Sequence, residues 1–257
     1  MTSPGNRQRY LDAVTTYIAT HLVRAQESGT DGASSWFRTG APSDELNGVL
    51  RLGGDLSLEM KRLRELFGET PSSWHFWPEI DPPELPDLLT RNGLAHFETE
   101  PLMVHTGNDE TAPPELHRSE LAQIEEVTDE PGLAQWAAVW SGIPDSNALI
   151  PGLCQGMELA STRYLLWREH SETLGCAAVV TSTAGSSIEH IVTRADHRGR
   201  GIGTALTQQA LALALEAGTN RIILTASPDG ESIYRRLGFV TVGRVDRYAR
   251  SPIPLQP

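Results

Sequence analysis

Hydrophobic positions in this chain change period several times, and those changes divide it into helices and strands. Over 7–27, Leu11, Val14, Tyr17, Ile18 and Leu22 recur at three- and four-residue intervals, which predicts an amphipathic helix. A Gly/Ser/Asp-rich loop is expected at 28–35, followed by extended segments at 35–38 and 48–52. Leu56, Met60, Leu63, Leu66 and Phe67 share one side of a second helix over 56–67. Strand character returns at 72–77. A short helix fits 82–91 ahead of Gly93, and 95–105 reads as a strand.

From His105 to Pro114 the chain turns polar (TGNDETAPP follows the histidine), which places a boundary between units 1–112 and 113–257. The second unit opens with a strand or turn near 122–127 and helices at 131–141 and 146–160. Strands are expected at 163–169, 173–182 and 186–193. A long helix over 202–217 turns Ala205, Leu206, Ala210, Leu213, Ala214 and Ala217 inward, and Gly218 sits where its stop belongs. A strand at 221–226, a helix at 230–237 and a strand at 241–248 complete a mixed α/β unit with a strand–helix–strand crossover. LPDLLTRNGLAHFETE (85–100) and ESIYRRLGFVTVGRVD (231–246) repeat one order of short helix, glycine, hydrophobe and strand, which suggests two copies of one fold.

Composition narrows the function. A formal net charge of −12 excludes a general nucleic-acid binder, which needs a basic face. It suits a cationic substrate, though it serves equally to keep a protein in solution. The two cysteines, Cys154 and Cys176, lack metal-ligand spacing and read as free thiols of a reducing compartment. With no apolar signal region at the start and no run long enough to cross a bilayer, a cytoplasmic protein without membrane or metal partners is expected.

The segment that carries chemistry is SIEHIVTRADHRGRGIGTALTQQALALALEAG, 187–218. Extended residues enter Arg198-Gly199-Arg200-Gly201-Ile202-Gly203, and an Ala/Leu helix leaves it. Glycines at alternate positions permit a sharp turn and a close approach of ligand to backbone. The helix that follows offers unpaired N–H groups and a positive dipole end, together an anion site suited to a pyrophosphate. No lysine follows as in a P-loop. A dinucleotide fingerprint fails too: its third position falls on Thr204 or Leu206, and Glu216 lies mid-helix rather than at a strand end. A tight connection without a ligand is the remaining alternative at this level.

R-G-R-G-I-G before an Ala/Leu helix resembles the [QR]-x-x-G-x-[GA] signature of the GNAT superfamily of acyl-CoA N-acyltransferases, and TASPDGESIYRRLGF (225–239) resembles that family's Tyr-x-x-x-Gly-Phe element. The resemblance covers 115–257 and implies a mixed sheet flanked by helices, here in two tandem copies. The first copy lacks the glycine signature and is expected to be degenerate, binding no CoA of its own. The implied reaction is acetyl transfer from acetyl-CoA, as co-substrate, to a primary amine of a small molecule by direct attack in a ternary complex. A protein amine as acceptor, and a CoA-binding module without catalysis, are the alternatives. A tandem chain suits a monomer or a homodimer.

By the same resemblance the backbone of Val192 and Thr193 pairs with the pantetheine arm, and the amides of Arg198, Gly199, Arg200, Gly201, Ile202, Gly203 and Thr204 hold the pyrophosphate. Ser227 stands where many relatives have an asparagine against CoA, and Tyr234 falls where the family has the tyrosine that protonates the departing thiolate. For the proton acceptor, strand alternation puts Glu189 on one face with Ile191 and Thr193, and His190, the second choice, on the other. Trp136 and Trp140, four apart on one helix face, and Trp74 and Trp77 are expected in the core, with one of the first pair as a wall of the acceptor pocket.

Overall fold

The computed structural model describes residues 4–30, 34–105, 118–219 and 221–250. In chain order the first half contains α1 (Pro4–Val23), β1 (Glu27–Gly29), β2 (Ser35–Arg38), β3 (Asn47–Arg51), α2 (Leu56–Phe67), β4 (Ser73–Phe76), α3 (Leu85–Arg91) and β5 (Ala95–His105). The second half contains α4 (Arg118–Leu121), β6 (Ile124–Glu126), α5 (Glu130–Ser141), α6 (Ile150–Glu158), β7 (Thr162–Glu169), β8 (Glu172–Ser182) and β9 (Gly185–Thr193). It ends with α7 (Ile202–Glu216), β10 (Ile222–Thr225), α8 (Glu231–Arg236) and β11 (Val240–Ala249). Part of the expected loop at 28–35 is instead β1, an edge strand antiparallel to β2. The polar boundary segment lies almost wholly outside the described residues.

The two halves share one mixed sheet in the order β1-β2-β3-β4-β11-β5-β10-β9-β8-β7-β6. The last strand of each half has crossed over: β5 lies against β10, and β11 lies against β4. These two exchanged strands pair with each other antiparallel, from Val240↔Val104 to Ala249↔Ala95. With Gly93 and Gly238 of the 85–100/231–246 echo set together, Ala95 corresponds to Val240, so the two corresponding strands pair antiparallel with each other. Each half also has a parallel pair that holds for only two rungs, Gly48↔Ser73 with Val49↔Trp74 and Ser186↔Ile222 with Ser187↔Ile223. Beyond those rungs the strands diverge.

Alternation along the strands assigns the layers. Met103 faces the α7 cluster, whereas Leu102 and Val104 face α1. Ala177 and Val179 likewise face α7, and Cys176 and Ala178 face α5. Thus α1, α5 and α6 cover one face, and α7 and α8 cover the other in the second half. Ala205, Leu206, Ala210, Leu211 and Ala214 of α7 are 0–1% exposed, and each buried leucine contributes about 1.5–3 kcal/mol. Gly218 takes φ 73°, the left-handed conformation that ends the helix. The inward position expected for Ala217 is not found: α7 stops at Glu216, and Ala217 is exposed as its cap. The strand exchange needs Gly243 at the bulge of β11, where an added Cβ would run into the Tyr10 ring of α1.

Candidate active site

The site begins at an irregularity in β9. Cys176 pairs with Val192, but Ala178 pairs with Glu189, so β9 carries one more residue than β8 across this interval. The extra residue is accommodated at His190, whose φ is 56°. Its carbonyl accepts from the Cys176 thiol at 3.6 Å. This corrects the expected faces. The inserted residue inverts the alternation, so Glu189 does not share a face with Ile191 and Thr193. Glu189 and Val192 pair with residues of the α5 face, His190 packs 4.8 Å from the Trp140 ring, and Ile188 and Ile191 join the α7 cluster.

Between the diverging ends of β9 and β10 lies a cavity of about 240 Å³. Val192, Glu189, Ser227 and Tyr234 all line it, so four sequence-derived site residues converge there. A wider groove of about 780 Å³ adjoins it, lined by Thr193 and Arg198 among others, and Trp140 and Val192 border both spaces. Of the pair Trp136 and Trp140, only Trp140 borders these two spaces. Trp136 is fully buried, with its N–H donated to the Ala177 carbonyl at 2.9 Å. Trp74 and Trp77 belong to the cores of the first half.

At the far end of the groove is the glycine turn. Gly199 and Gly201 adopt φ 77° and 86°, the left-handed region, and a Cβ on either would meet nothing within 4 Å among the described residues. These glycines serve backbone conformation and leave open space above the turn. Gly201 caps α7 with no side-chain hydrogen bond, so the first amides of the helix are offered outward. Gly203 and Thr204 form that first turn, whereas the Ile202 side chain is 2% exposed in the core and contributes only its backbone. The Arg200 guanidinium turns aside to Glu169 at 2.7 Å, and Arg198 is exposed along the groove.

The corresponding helix of the first half, α2, is arranged oppositely. Asp55 caps it, its carboxylate accepting from the amides of Ser57 and Leu58 at 3.1 Å each. A carboxylate already occupies that helix end, with its charge opposed to a second anion.

Around the cavity the ionisable groups are unequal. Glu189 is ion-paired with Arg24 of the segment after α1 and accepts from Ser187 Oγ at 2.8 Å. Burial pushes its pKa up, but Arg24 and the neighbouring histidines outweigh burial and hold it at about 2. Burial lowers both His190 and His21, the latter to about 3. Tyr234 is 7% exposed, and burial with Glu100 nearby pushes its hydroxyl up to about 12. That hydroxyl has no hydrogen-bond partner among the described residues.

The opposite wall has no counterpart among the sequence-derived candidates. Tyr17 and His21 come from α1, Glu45 from the turn before β3, Glu98 and Glu100 from the exchanged β5, and Arg247 from the exchanged β11. Arg247 lies 2.7 Å from Glu45, 3.4 Å from Glu98 and 3.5 Å from Glu100. The alternation Glu98-Thr99-Glu100 in a strand is the available signal, since period two puts both carboxylates on one face.

Comparison with known proteins agrees with this architecture. Residues 152–256 match the family model described as the acetyltransferase (GNAT) domain. The chain is 36% identical over 56 residues to the probable glucosamine 6-phosphate N-acetyltransferase 2 of Oryza sativa subsp. japonica; the match takes in 22% of this chain and about a third, 34%, of that relative's length. A solved GCN5-related N-acetyltransferase from Kribbella flavida superposes with TM-score 0.66 at 19% identity, over 97% of this chain and 96% of its own. A tandem GNAT protein from the clavulanic acid biosynthesis pathway superposes with TM-score 0.53 at 11% identity, over 94% and 96%. At such identities the two structures speak for the fold alone. No helix among the described residues is long and apolar enough to cross a membrane, and no group of three or more His, Cys, Asp or Glu that could hold a metal occurs among them. The glycine turn and the bulged strand both lie within 152–256, the segment that matches the acetyltransferase (GNAT) domain.

Proposed function

We propose that the protein transfers an acetyl group from acetyl-CoA to a primary amine of a small molecule, by direct attack within a ternary complex. The observation that carries this reading is the continuity of three features: an uncapped helix end at Gly201, a groove running along Val192 and Thr193, and a cavity that ends at Tyr234. The pyrophosphate lies on the 198–204 amides, which need no side chain to bind it. The pantetheine arm pairs with the free edge that β9 presents after the bulge. The thioester then reaches the cavity, with the acceptor amine opposite it.

The cavity is small and acidic. Glu45, Glu98, Glu100 and Glu189 face two guanidiniums, Arg24 and Arg247, both already against carboxylates. That balance favours a cationic amine and disfavours a phosphate on the acceptor. On attack, the C–N bond forms as the C–S bond breaks; Tyr234 supplies a proton to the departing sulfur and recovers one from the acceptor nitrogen. In this reading 113–257 is the catalytic unit. The first half, with its self-capped α2, binds no CoA and walls the acceptor site. The test is a screen of primary amines, with and without phosphate groups, for acetyl-CoA-dependent thiol release. Turnover is expected with unphosphorylated amines; thiol release independent of every amine would contradict the proposal.

A further inference from the structure

Four carboxylates line the cavity, and the ion pairs divide their roles. Glu189 is held ionised by Arg24, and Glu45 by Arg247 at 2.7 Å, with both pKa values lowered. A carboxylate stabilised in this way is a weak base. Glu98 is 37% exposed in its side chain. Glu100 is 9% exposed, and its Oε2 has no hydrogen-bond partner among the described residues although Arg247 lies 3.5 Å away. The strand exchange sets it beside the reaction centre. Pro101 O accepts from Ala226 N at 3.0 Å, and Leu102 pairs with Thr225, so Glu100 runs alongside 225–227 and lines the same cavity as Tyr234.

We propose that Glu100, carried into the second half's cleft by the exchanged strand of the first half, accepts the proton of the ammonium acceptor. The inference rests on the acetyl-transfer reading and replaces Glu189 in that role, leaving Glu189 as a fixed negative charge on the wall. The groups that face Glu100 are Glu98 on its own strand, Arg247 on β11, Glu45 before β3, Tyr17 on α1, Thr225 on β10 and Tyr234 on α8. Burial pushes its carboxyl up to about 7, against the pull of Arg247 and with the push of Glu98 and Glu45. A carboxylate raised in this way is a stronger base than Glu189 or Glu45, whose pKa values are lowered. The balance is complete: R–NH₃⁺ gives one proton to Glu100, which passes it to solvent. The neutral amine attacks the thioester. Its second proton restores Tyr234 after the phenol has protonated the thiolate.

The test is the pH profile of kcat/KM for the native chain, Glu100→Gln, Glu100→Asp and Glu98→Gln. The native profile is expected to rise through an acid limb near pH 7. Glu100→Gln is expected to lower kcat about 30- to 100-fold with the limb abolished, while KM for acetyl-CoA and the melting temperature stay near native. Glu100→Asp retains a limb at reduced rate, and Glu98→Gln, which removes the neighbouring negative charge, retains a limb displaced to lower pH. A native-like rate and limb in Glu100→Gln would overturn the inference, as would, should that variant not fold, an Asp variant without rate loss. A native chain that acetylates no amine overturns the reading beneath it as well.

Discussion

Tyr234→Phe is expected to lower kcat by about 100- to 1000-fold while acetyl-CoA binds with near-native affinity. General acid catalysis by a positioned side chain is worth on the order of 10²–10⁴ in rate, and the phenolic hydroxyl is the only group the substitution removes. The ring itself packs in the α7 cluster, 6.2 Å from Phe239, and phenylalanine keeps that contact. Because the Tyr234 hydroxyl bonds to no described residue, its loss strands no buried donor or acceptor, so stability should change by less than about 0.5 kcal/mol. Steady-state kinetics with a saturating amine, together with a thermal melt, reads both quantities. Native kcat in the variant would assign Tyr234 to packing alone.

Gly203→Asp should abolish CoA binding without unfolding the chain. Gly203 lies in the first turn of α7 and is not in the left-handed region. A Cβ added there would meet only Thr193 Oγ1, at 3.5 Å, so an aspartate fits without strain. A carboxylate in a first helical turn is favourable to the helix. It would put a carboxylate at the proposed pyrophosphate site, as Asp55 puts one at the end of α2, though from within the first turn rather than from the cap. At an effective dielectric near 20, like unit charges about 5 Å apart repel by about 3 kcal/mol, enough for more than a hundredfold loss of affinity. Calorimetric titration with a parallel melt separates the outcomes; unchanged affinity would move the anion site elsewhere.

The features legible in the sequence are local ones. The turn at 198–204, the helix behind it and the Tyr234 element each sit within about forty residues, and glycine placement and helical period report directly on them. The bounds of β5 and α2 follow to the residue from the same kind of pattern. The acidic wall is not legible, because it depends on which half each terminal strand joins. Nothing in the alternation of β5 or β11 says that Glu100 will lie beside Thr225 or Arg247 beside Glu45. The face of Glu189 departs from expectation for a different reason: a bulge adds one residue, and period-two reading has no mark for it. His190 in the left-handed region is the backbone cause; histidine is enriched there among non-glycine residues, but the conformation is uncommon for any of them, so the residue alone does not mark the bulge.

Titration of the full chain with CoA bears most directly on the anion site at the uncapped end of α7. One CoA per chain is predicted, with binding lost in Gly203→Asp. Two per chain, or no heat of binding in the native protein, would contradict it.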